Sequence, residues 1–202
     1  MEIISIFPTG VGRFKYDKDL VDVKKFIDTN IKNNLVENTG NKTSINVNIL
    51  DLEEFKDIRL FVESAITEYF ENVISPDGDV QPFITLSWLN FTEKDGFHHK
   101  HWHGNSIVSG VFYISAVEEH DKIHFYNNDN KSAIELTPKN LNIFNSAGWW
   151  IPVKENDLLL FPSSTAHGVE TVLLDHTRIS LAFNVFVKGE FGSKKHLKWI
   201  KL

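Results

Sequence analysis

The first third of the chain has apolar residues at helical spacing. Over residues 17–34, Leu20, Val23, Ile27 and Ile31 fall on one face of a predicted helix. A second helix is predicted from Asp51, because Asp51 and Glu54 have the spacing of a capping box. The expected buried face of this helix consists of Phe55, Ile58, Val62, Ile66, Tyr69, Phe70 and Val73. Residues 75–78, with their Pro and Gly, end the second helix.

After residue 82 the pattern changes to short apolar or alternating runs separated by turns, which is typical of β-strands. The predicted strands are residues 83–92, 97–103, 106–117, 122–126, 149–153, 157–161, 167–173 and 177–187, with an extra one at 133–136. Residues 3–7 are predicted to form a further short strand and residues 38–43 a polar turn. Many short strands after a helical start predict a sandwich or jelly roll with helices against one sheet.

The expected fold class is therefore mainly β with N-terminal helices (α+β), built on a double-stranded β-helix core of the jelly-roll, cupin-like kind. We expect one domain over residues 1–202, since this length fits a single core. Within it, residues 1–80 form a helical flank, residues 81–190 the β core and residues 191–202 a tail.

The last predicted strand has one apolar face and one polar face, because side chains alternate along a strand. The apolar face, expected to pack under the helices, is formed by Ile179, Leu181, Phe183, Val185 and Val187. The opposite face is formed by Arg178, Ser180, Ala182, Asn184 and Phe186. This places Arg178 in the interior, where a guanidinium is costly unless an anion meets it.

Composition and charge narrow the range of possible functions. Aromatic residues make up 12% of the chain, which suits a β-rich core, and there is no cysteine. The absence of cysteine excludes disulfides, thiolate metal sites and cysteine nucleophiles. The formal net charge of −6 argues against nucleic acid and an anionic membrane as partners. With no apolar run near the roughly 20 residues that span a bilayer and no secretion signal at the start, we expect a cytoplasmic protein.

The chemistry-bearing feature is a cluster of four histidines in residues 98–103. If this segment is a strand, His99, His101 and His103 project to one face, and two imidazoles spaced i and i+2 can share a metal. His167, at the turn before a later strand, is the best candidate for a third ligand. On its own the cluster leaves metal binding and a solvated turn equally open.

Alternatives remain at this stage. The register could use His99 with His101 instead of His101 with His103, and Glu93 or Asp95 could supply a carboxylate from the preceding loop. The other histidines, His120, His124, His176 and His196, are interpreted as ordinary surface or core residues.

The order of the motifs is more specific than any one of them. The order is His101-Trp102-His103, Ser109-Gly110-Val111-Phe112-Tyr113, Phe161-Pro162-Ser163, a distal His167, and Arg178-Ile179-Ser180 followed by Phe183-Asn184. Over roughly residues 86–187 this order resembles the 2-oxoglutarate/Fe(II)-dependent oxygenase superfamily. It most resembles a small family with His-x-His that is common in marine bacterial and phage genomes, which would place the protein in a bacterial or phage-infected cell.

The resemblance implies a role for each matching residue. His101, His103 and His167 would ligate Fe(II), with no catalytic side chain beyond these ligands. Arg178 would grip the distal carboxylate of 2-oxoglutarate, since a guanidinium offers a planar fork of donors. Ser180 and Tyr113 would bind the same co-substrate. One departure matters: most of the superfamily has a carboxylate where this chain has His103, and three neutral ligands leave the iron more positive.

The implied function is that of a 2-oxoglutarate- and Fe(II)-dependent oxygenase, which also consumes O2. The expected reaction is hydroxylation of the substrate. The substrate, a small molecule or a protein side chain, is not identified, and a homodimer is left open. Substrate selection is expected from residues 93–97, 127–132 and 138–150. Metal affinity is expected to fall below roughly pH 6.5, where imidazoles become protonated. The rival readings are a three-histidine cupin-type metalloenzyme that does not use 2-oxoglutarate and a non-catalytic jelly-roll binding module.

Overall fold

The computed structural model describes residues 1–127 and 136–202. Helix α1 (Val21–Phe26) continues as a π-helical turn, Ile27–Ile31. Two 3-10 turns, Ile49–Asp51 and Glu53–Phe55, lead into helix α2 (Lys56–Tyr69), which continues as a second π-helical turn, Phe70–Ile74. Both predicted helices are confirmed, but the first is shorter than residues 17–34.

The details at the ends of α2 differ from the expectation. The predicted capping box is wrong, because Phe55 occupies the N-cap position without a side-chain cap, and Asp51 instead pairs with Arg59. The expected apolar face is buried from Phe55 to Phe70. Val73 is 49% exposed, because it lies in the π-helical turn, where the helical spacing no longer holds.

The structure contains twelve strands among the described residues. They are β1 (Gly12–Lys15), β2 (Leu35–Asn38), β3 (Asn41–Ser44), β4 (Val80–Thr92), β5 (His98–His101), β6 (Val108–Ser115), β7 (Lys122–Tyr126), β8 (Gly148–Pro152), β9 (Asp157–Pro162), β10 (His167–Val169), β11 (Arg178–Phe191) and β12 (Ile200–Lys201). The eight principal predicted strands are present, β7 with the predicted bounds and the others with shifted ends.

Four expectations about strands need correction or fall outside the structure. Residues 3–7 form no strand, and their apolar side chains are largely exposed. The predicted polar turn at residues 38–43 lies within the hairpin of β2 and β3. The strands predicted at residues 97–103 and 167–173 are shorter, because each continues into irregular backbone. Of the extra strand at 133–136, residues 133–135 lie outside the described residues.

Two antiparallel sheets form the β core. The larger sheet has the order β1-β9-β6-β11-β4-β3-β2, with β12 paired to β11, and the smaller has the order β5-β10-β7-β8. One cavity is lined by residues of both sheets, including Ser180 of the larger and His167 of the smaller. The jelly-roll prediction is confirmed.

The two faces of β11 have the predicted roles. Its apolar side chains join the helices in the main core, where Leu181, Phe183 and Val185 are fully buried. Its other face lines the space between the sheets through Arg178, Ser180 and Ala182. Strand β11 therefore divides the helical core from the interior cavity. Within residues 1–127 and 136–202, no helix has the length and apolar character needed to cross a membrane.

Candidate active site

Three histidines converge at one end of the smaller sheet. One ring nitrogen from each of His101, His103 and His167 lies within 4.8 Å of the others. The ring centroid of His167 is 4.4 Å from that of His101 and 5.2 Å from that of His103. His167 is buried, at 5% exposed, and the other two are partly buried. This set of imidazole nitrogens suits a divalent transition metal such as Fe(II).

Strand pairing explains how residues far apart in sequence meet. Strand β10 lies between β5 and β7, and His167 pairs directly with His101. His103 lies beyond the end of β5, so the expectation that one strand carries both histidines is wrong in that detail. The backbone N–H of His103 donates to the carbonyl of Ser163, 3.0 Å away, and this bond brings the segment back to the cluster.

Backbone carbonyls fix two of the three rings. Nδ1 of His101 lies 2.8 Å from the His99 carbonyl oxygen, and Nδ1 of His167 lies 3.0 Å from the Thr165 carbonyl oxygen. A carbonyl oxygen can only accept, so each Nδ1 carries the proton. Nε2 of each ring therefore has its lone pair free for a metal.

Burial keeps these imidazoles neutral. Burial lowers the pKa of His167 to about 3 and that of His103 to about 4, and it also lowers the pKa of His101. Neutral imidazole is the form that binds a metal. The expected loss of metal affinity below roughly pH 6.5 is therefore placed too high, because it used the pKa of a free histidine.

The metal-free protein is expected to lose stability in mild acid. The folded-state pKa of His167 lies below that of an unfolded histidine, so the unfolded chain takes up the proton first as the pH falls. The free energy of unfolding should fall by about 1.4 kcal/mol per pH unit below about pH 6.5 for His167 alone. Urea unfolding between about pH 7 and pH 5 measures this slope. His167→Asn should reduce this slope by about that amount, since His98 and His103 also have lowered pKa values and still contribute. A constant free energy of unfolding in the wild type would contradict the expectation.

The alternative ligands lie outside the cluster. Among the described residues, the only group of three or more potential ligands close enough to hold a metal is His101, His103 and His167. His99 is exposed, Glu93 is paired with Lys42, and Asp95 is exposed. This geometry favours the register with His101 and His103.

The residues expected to bind 2-oxoglutarate line the same cavity as the histidines. Arg178, Ser180 and Tyr113 all contribute to its wall, and each is at least nine-tenths buried. Pairing places Ser180 next to Tyr113 on one side and next to Asn90 on the other. Burial lowers the pKa of Arg178, and nearby Tyr113 and Asp121 oppose this effect.

The sequence did not reveal Asp121 as a partner of Arg178. Asp121 is 2% exposed, and its Oδ1 lies 3.6 Å from Arg178 Nη1. Oδ2 accepts hydrogen bonds from the Val117 N–H at 2.8 Å and from His176 Nε2 at 2.9 Å. The protein itself therefore already supplies an anion beside the inward-facing Arg178. At 3.6 Å the ion pair is too long for a hydrogen bond, and the fork of donors stays available.

Removing Asp121 is expected to destabilise the fold strongly. Asp121→Ala leaves the buried guanidinium of Arg178 without its anion, which costs about 3–5 kcal/mol when one partner of a buried pair is lost. Urea unfolding of the metal-free protein measures the change. The double variant Asp121→Ala/Arg178→Met removes both charges and should recover part of the loss. If the double variant is as unstable as the sum of the two single variants, the two charges are not coupled.

The segment that carries the site matches a known protein family. A family model described as a 2OG-Fe(II) oxygenase matches residues 86–184, about half of the chain, and this segment holds all six predicted site residues. No curated protein matches the sequence.

Solved structures share the fold. HygX from Streptomyces hygroscopicus with nickel, 2-oxoglutarate and hygromycin B bound is 15% identical over 88% of this chain and 82% of that chain, with a TM-score of 0.59. A Trichoplax adhaerens prolyl hydroxylase in complex with a hypoxia inducible factor peptide fragment is 15% identical over 88% of this chain and 84% of that chain, with a TM-score of 0.61. A Pseudomonas putida prolyl-4-hydroxylase is 12% identical over 87% and 92%, with a TM-score of 0.57.

At such low identity these structures establish the jelly-roll fold, while the family match covers the segment that carries the chemistry. HygX has been crystallised with nickel and 2-oxoglutarate and, separately, with iron. The chain therefore belongs to the 2OG-Fe(II) oxygenase family, and it is an enzyme that depends on Fe(II) and 2-oxoglutarate.

Proposed function

We propose that the enzyme hydroxylates a C–H bond of its substrate at a site where His101, His103 and His167 hold Fe(II). In this proposal Arg178 binds the distal carboxylate of 2-oxoglutarate, and Ser180 and Tyr113 hydrogen bond to the same co-substrate. When bound, Fe(II) and 2-oxoglutarate supply the O2 activation that oxidises the substrate.

One observation carries the proposal: three neutral imidazoles and a buried guanidinium line the same cavity. The imidazoles offer lone pairs to a metal. Arg178 offers donors to a carboxylate in surroundings with little water, where such a charge-assisted bond is strong. A metal site alone would not need the guanidinium, and an anion site alone would not need the three histidines.

The two rival functions explain less of this arrangement. A three-histidine enzyme without 2-oxoglutarate gives Arg178, which already pairs with Asp121 at 3.6 Å, no reason to line the same cavity as the histidines. A binding module has no use for imidazoles whose lone pairs converge within 4.8 Å. Both rivals are separated from the proposal by whether 2-oxoglutarate binds.

The protein's own residues prepare the site in three ways. The carbonyls of His99 and Thr165 hold two ligand rings in the metal-binding tautomer. Burial keeps the ligands unprotonated near neutral pH. Asp121 pairs with Arg178, and both line a second cavity that contains His176 but none of the proposed metal ligands.

The substrate is proposed to enter beside Trp149. Pairing places His101, His167, Phe125 and Trp149 in one row across the smaller sheet, so Trp149 shares their face. Trp149 is 42% exposed, which fits a wall at the mouth of the site. Selection by residues 93–97, 127–132 and 138–150 stays a prediction, and residues 128–132 lie outside the described residues.

An oxygen-free titration tests the proposal without knowledge of the substrate. The protein is loaded with Fe(II) and titrated with 2-oxoglutarate while the visible metal-to-ligand absorption band of such chelates is followed. A band that saturates supports the proposal, and succinate release then screens substrates. Fe(II) binding without a band would favour the three-histidine enzyme. Binding of neither would favour the binding module.

A further inference from the structure

The buried carboxylate of Asp121 lies between a guanidinium and an imidazole. Its Oδ1 is 3.6 Å from Arg178 Nη1, and its Oδ2 accepts a hydrogen bond from His176 Nε2 at 2.9 Å. His176 lies in the bend that precedes β11, two residues before Arg178. All three residues line the second cavity. Because Arg178 also lines the cavity of the histidine cluster, it connects the His176–Asp121 pair to the candidate active site.

The imidazole of His176 is oriented by its bond to Asp121. A carboxylate can only accept a hydrogen bond, so Nε2 of His176 carries the proton. The other ring nitrogen, Nδ1, is buried and has no hydrogen-bond partner among the residues that the structure describes. The His176 side chain is only 19% exposed, so little water reaches the bond. The polar contact that this ring makes is therefore directed at the anion that pairs with Arg178.

Two donors hold the Asp121 carboxylate back from Arg178. The Val117 N–H donates to Oδ2 at 2.8 Å, and His176 donates to the same oxygen. With Oδ2 held by both donors, Oδ1 stays 3.6 Å from Arg178 Nη1, which is beyond hydrogen-bond distance. The carboxylate is thus close enough to compensate the buried charge of Arg178. It leaves the N–H groups of the guanidinium for another carboxylate to use.

Asp121 also closes the turn between β6 and β7, and this structural role is independent of ligand binding. Its backbone N–H donates to the Val117 carbonyl at 2.8 Å, while its side chain accepts the Val117 N–H. Loss of Asp121 would therefore disturb the turn whatever Arg178 binds. His176 lies outside this turn, so replacing His176 changes the surroundings of the carboxylate and leaves both turn bonds in place.

We infer that His176 is a positioning residue, which acts through Asp121 to keep the Arg178 guanidinium open to the distal carboxylate of 2-oxoglutarate. The inference rests on the proposed function, because it requires Arg178 to bind that carboxylate. Without the His176 donor, the Asp121 carboxylate can turn toward Arg178 and form direct hydrogen bonds with it. The N–H groups that Asp121 then occupies are lost to the co-substrate, so 2-oxoglutarate binds more weakly.

The test titrates the Fe(II)-loaded protein with 2-oxoglutarate in the absence of oxygen and follows the absorption band of the chelate. In His176→Leu the dissociation constant of 2-oxoglutarate should rise about 10-fold, as for the loss of one hydrogen bond to a charged group. The Fe(II) dissociation constant should not change, since His176 is not among the clustered ligands. His176→Gln keeps an N–H donor and should restore most of the 2-oxoglutarate affinity.

The matched control is His120→Leu. His120 lines the same cavity and is exposed, and among the described residues its side chain makes no hydrogen bond or ion pair with Asp121. This variant should bind 2-oxoglutarate as the wild type does.

A double variant shows whether the effect of His176 passes through Asp121. Asp121→Asn removes the carboxylate charge, so adding His176→Leu to it should change the 2-oxoglutarate dissociation constant by less than about two-fold. A full 10-fold effect in this background would overturn the inference. So would wild-type 2-oxoglutarate affinity in His176→Leu, or a His176→Gln variant that is folded by circular dichroism but as weak as His176→Leu. These results leave the proposed function intact, whereas an Fe(II)-loaded wild type that gives no band with 2-oxoglutarate would overturn both.

Discussion

Replacing His167 with alanine is expected to abolish Fe(II) binding and, with it, the absorption band of the Fe(II)–2-oxoglutarate chelate. His167 is the most buried member of the cluster, and its ring contacts both His101 and His103. Its loss removes one of the three proposed ligands, and the remaining pair cannot enclose one face of the metal. The loss of affinity should exceed the roughly 10- to 100-fold that loss of an outer partner costs.

Two further variants make this result interpretable. His167→Gln fills most of the space of the imidazole, so a loss of Fe(II) binding there cannot be attributed to a cavity. His99→Ala removes the exposed neighbour that the alternative register would use, while its backbone carbonyl continues to hold His101. We expect His99→Ala to bind Fe(II) like the wild type. If His99→Ala lost the metal and His167→Ala kept it, the assignment of ligands would be wrong.

The sequence predicted the fold well where periodicity was long and regular. The apolar face of α2 and the alternating faces of β11 each extend over ten or more residues, and both are found as predicted up to Phe70 and Val187. Prediction from the sequence failed for short elements. The hairpin of β2 and β3 has four residues in each strand and polar side chains at its turn, and its pairing with β4 is a long-range contact that local pattern does not contain.

Individual site residues were predicted only where they belong to a recognisable sequence motif. His101, His103 and His167 come together as expected, although His103 does so from outside the strand. Asp121 was missed, because its pairing with Arg178 joins side chains that are far apart in sequence. A signal for Asp121 existed: an inward-facing Arg178 requires an anion, and a carboxylate within the β core was a candidate beside the co-substrate.

Replacing Arg178 with alanine is expected to weaken 2-oxoglutarate binding on the order of 100-fold or more, because truncating one side of a buried charge pair costs 2–5 kcal/mol. Fe(II) binding without 2-oxoglutarate should be unchanged, since Arg178 is not among the clustered ligands. The absorption band, titrated with 2-oxoglutarate at fixed Fe(II), measures the effect.

Arg178→Lys separates charge from geometry. Lysine keeps the positive charge but lacks the planar fork, so we expect an affinity for 2-oxoglutarate between those of the wild type and Arg178→Ala. Asp121 sharpens the interpretation, because its carboxylate remains buried beside residue 178 and loses the guanidinium in the alanine variant. Part of any loss in Arg178→Ala then comes from repulsion between Asp121 and the co-substrate, and Arg178→Ala/Asp121→Asn should recover that part. An Arg178→Ala variant with wild-type 2-oxoglutarate affinity would assign the buried guanidinium to Asp121 alone and would mean that another group binds the distal carboxylate of 2-oxoglutarate.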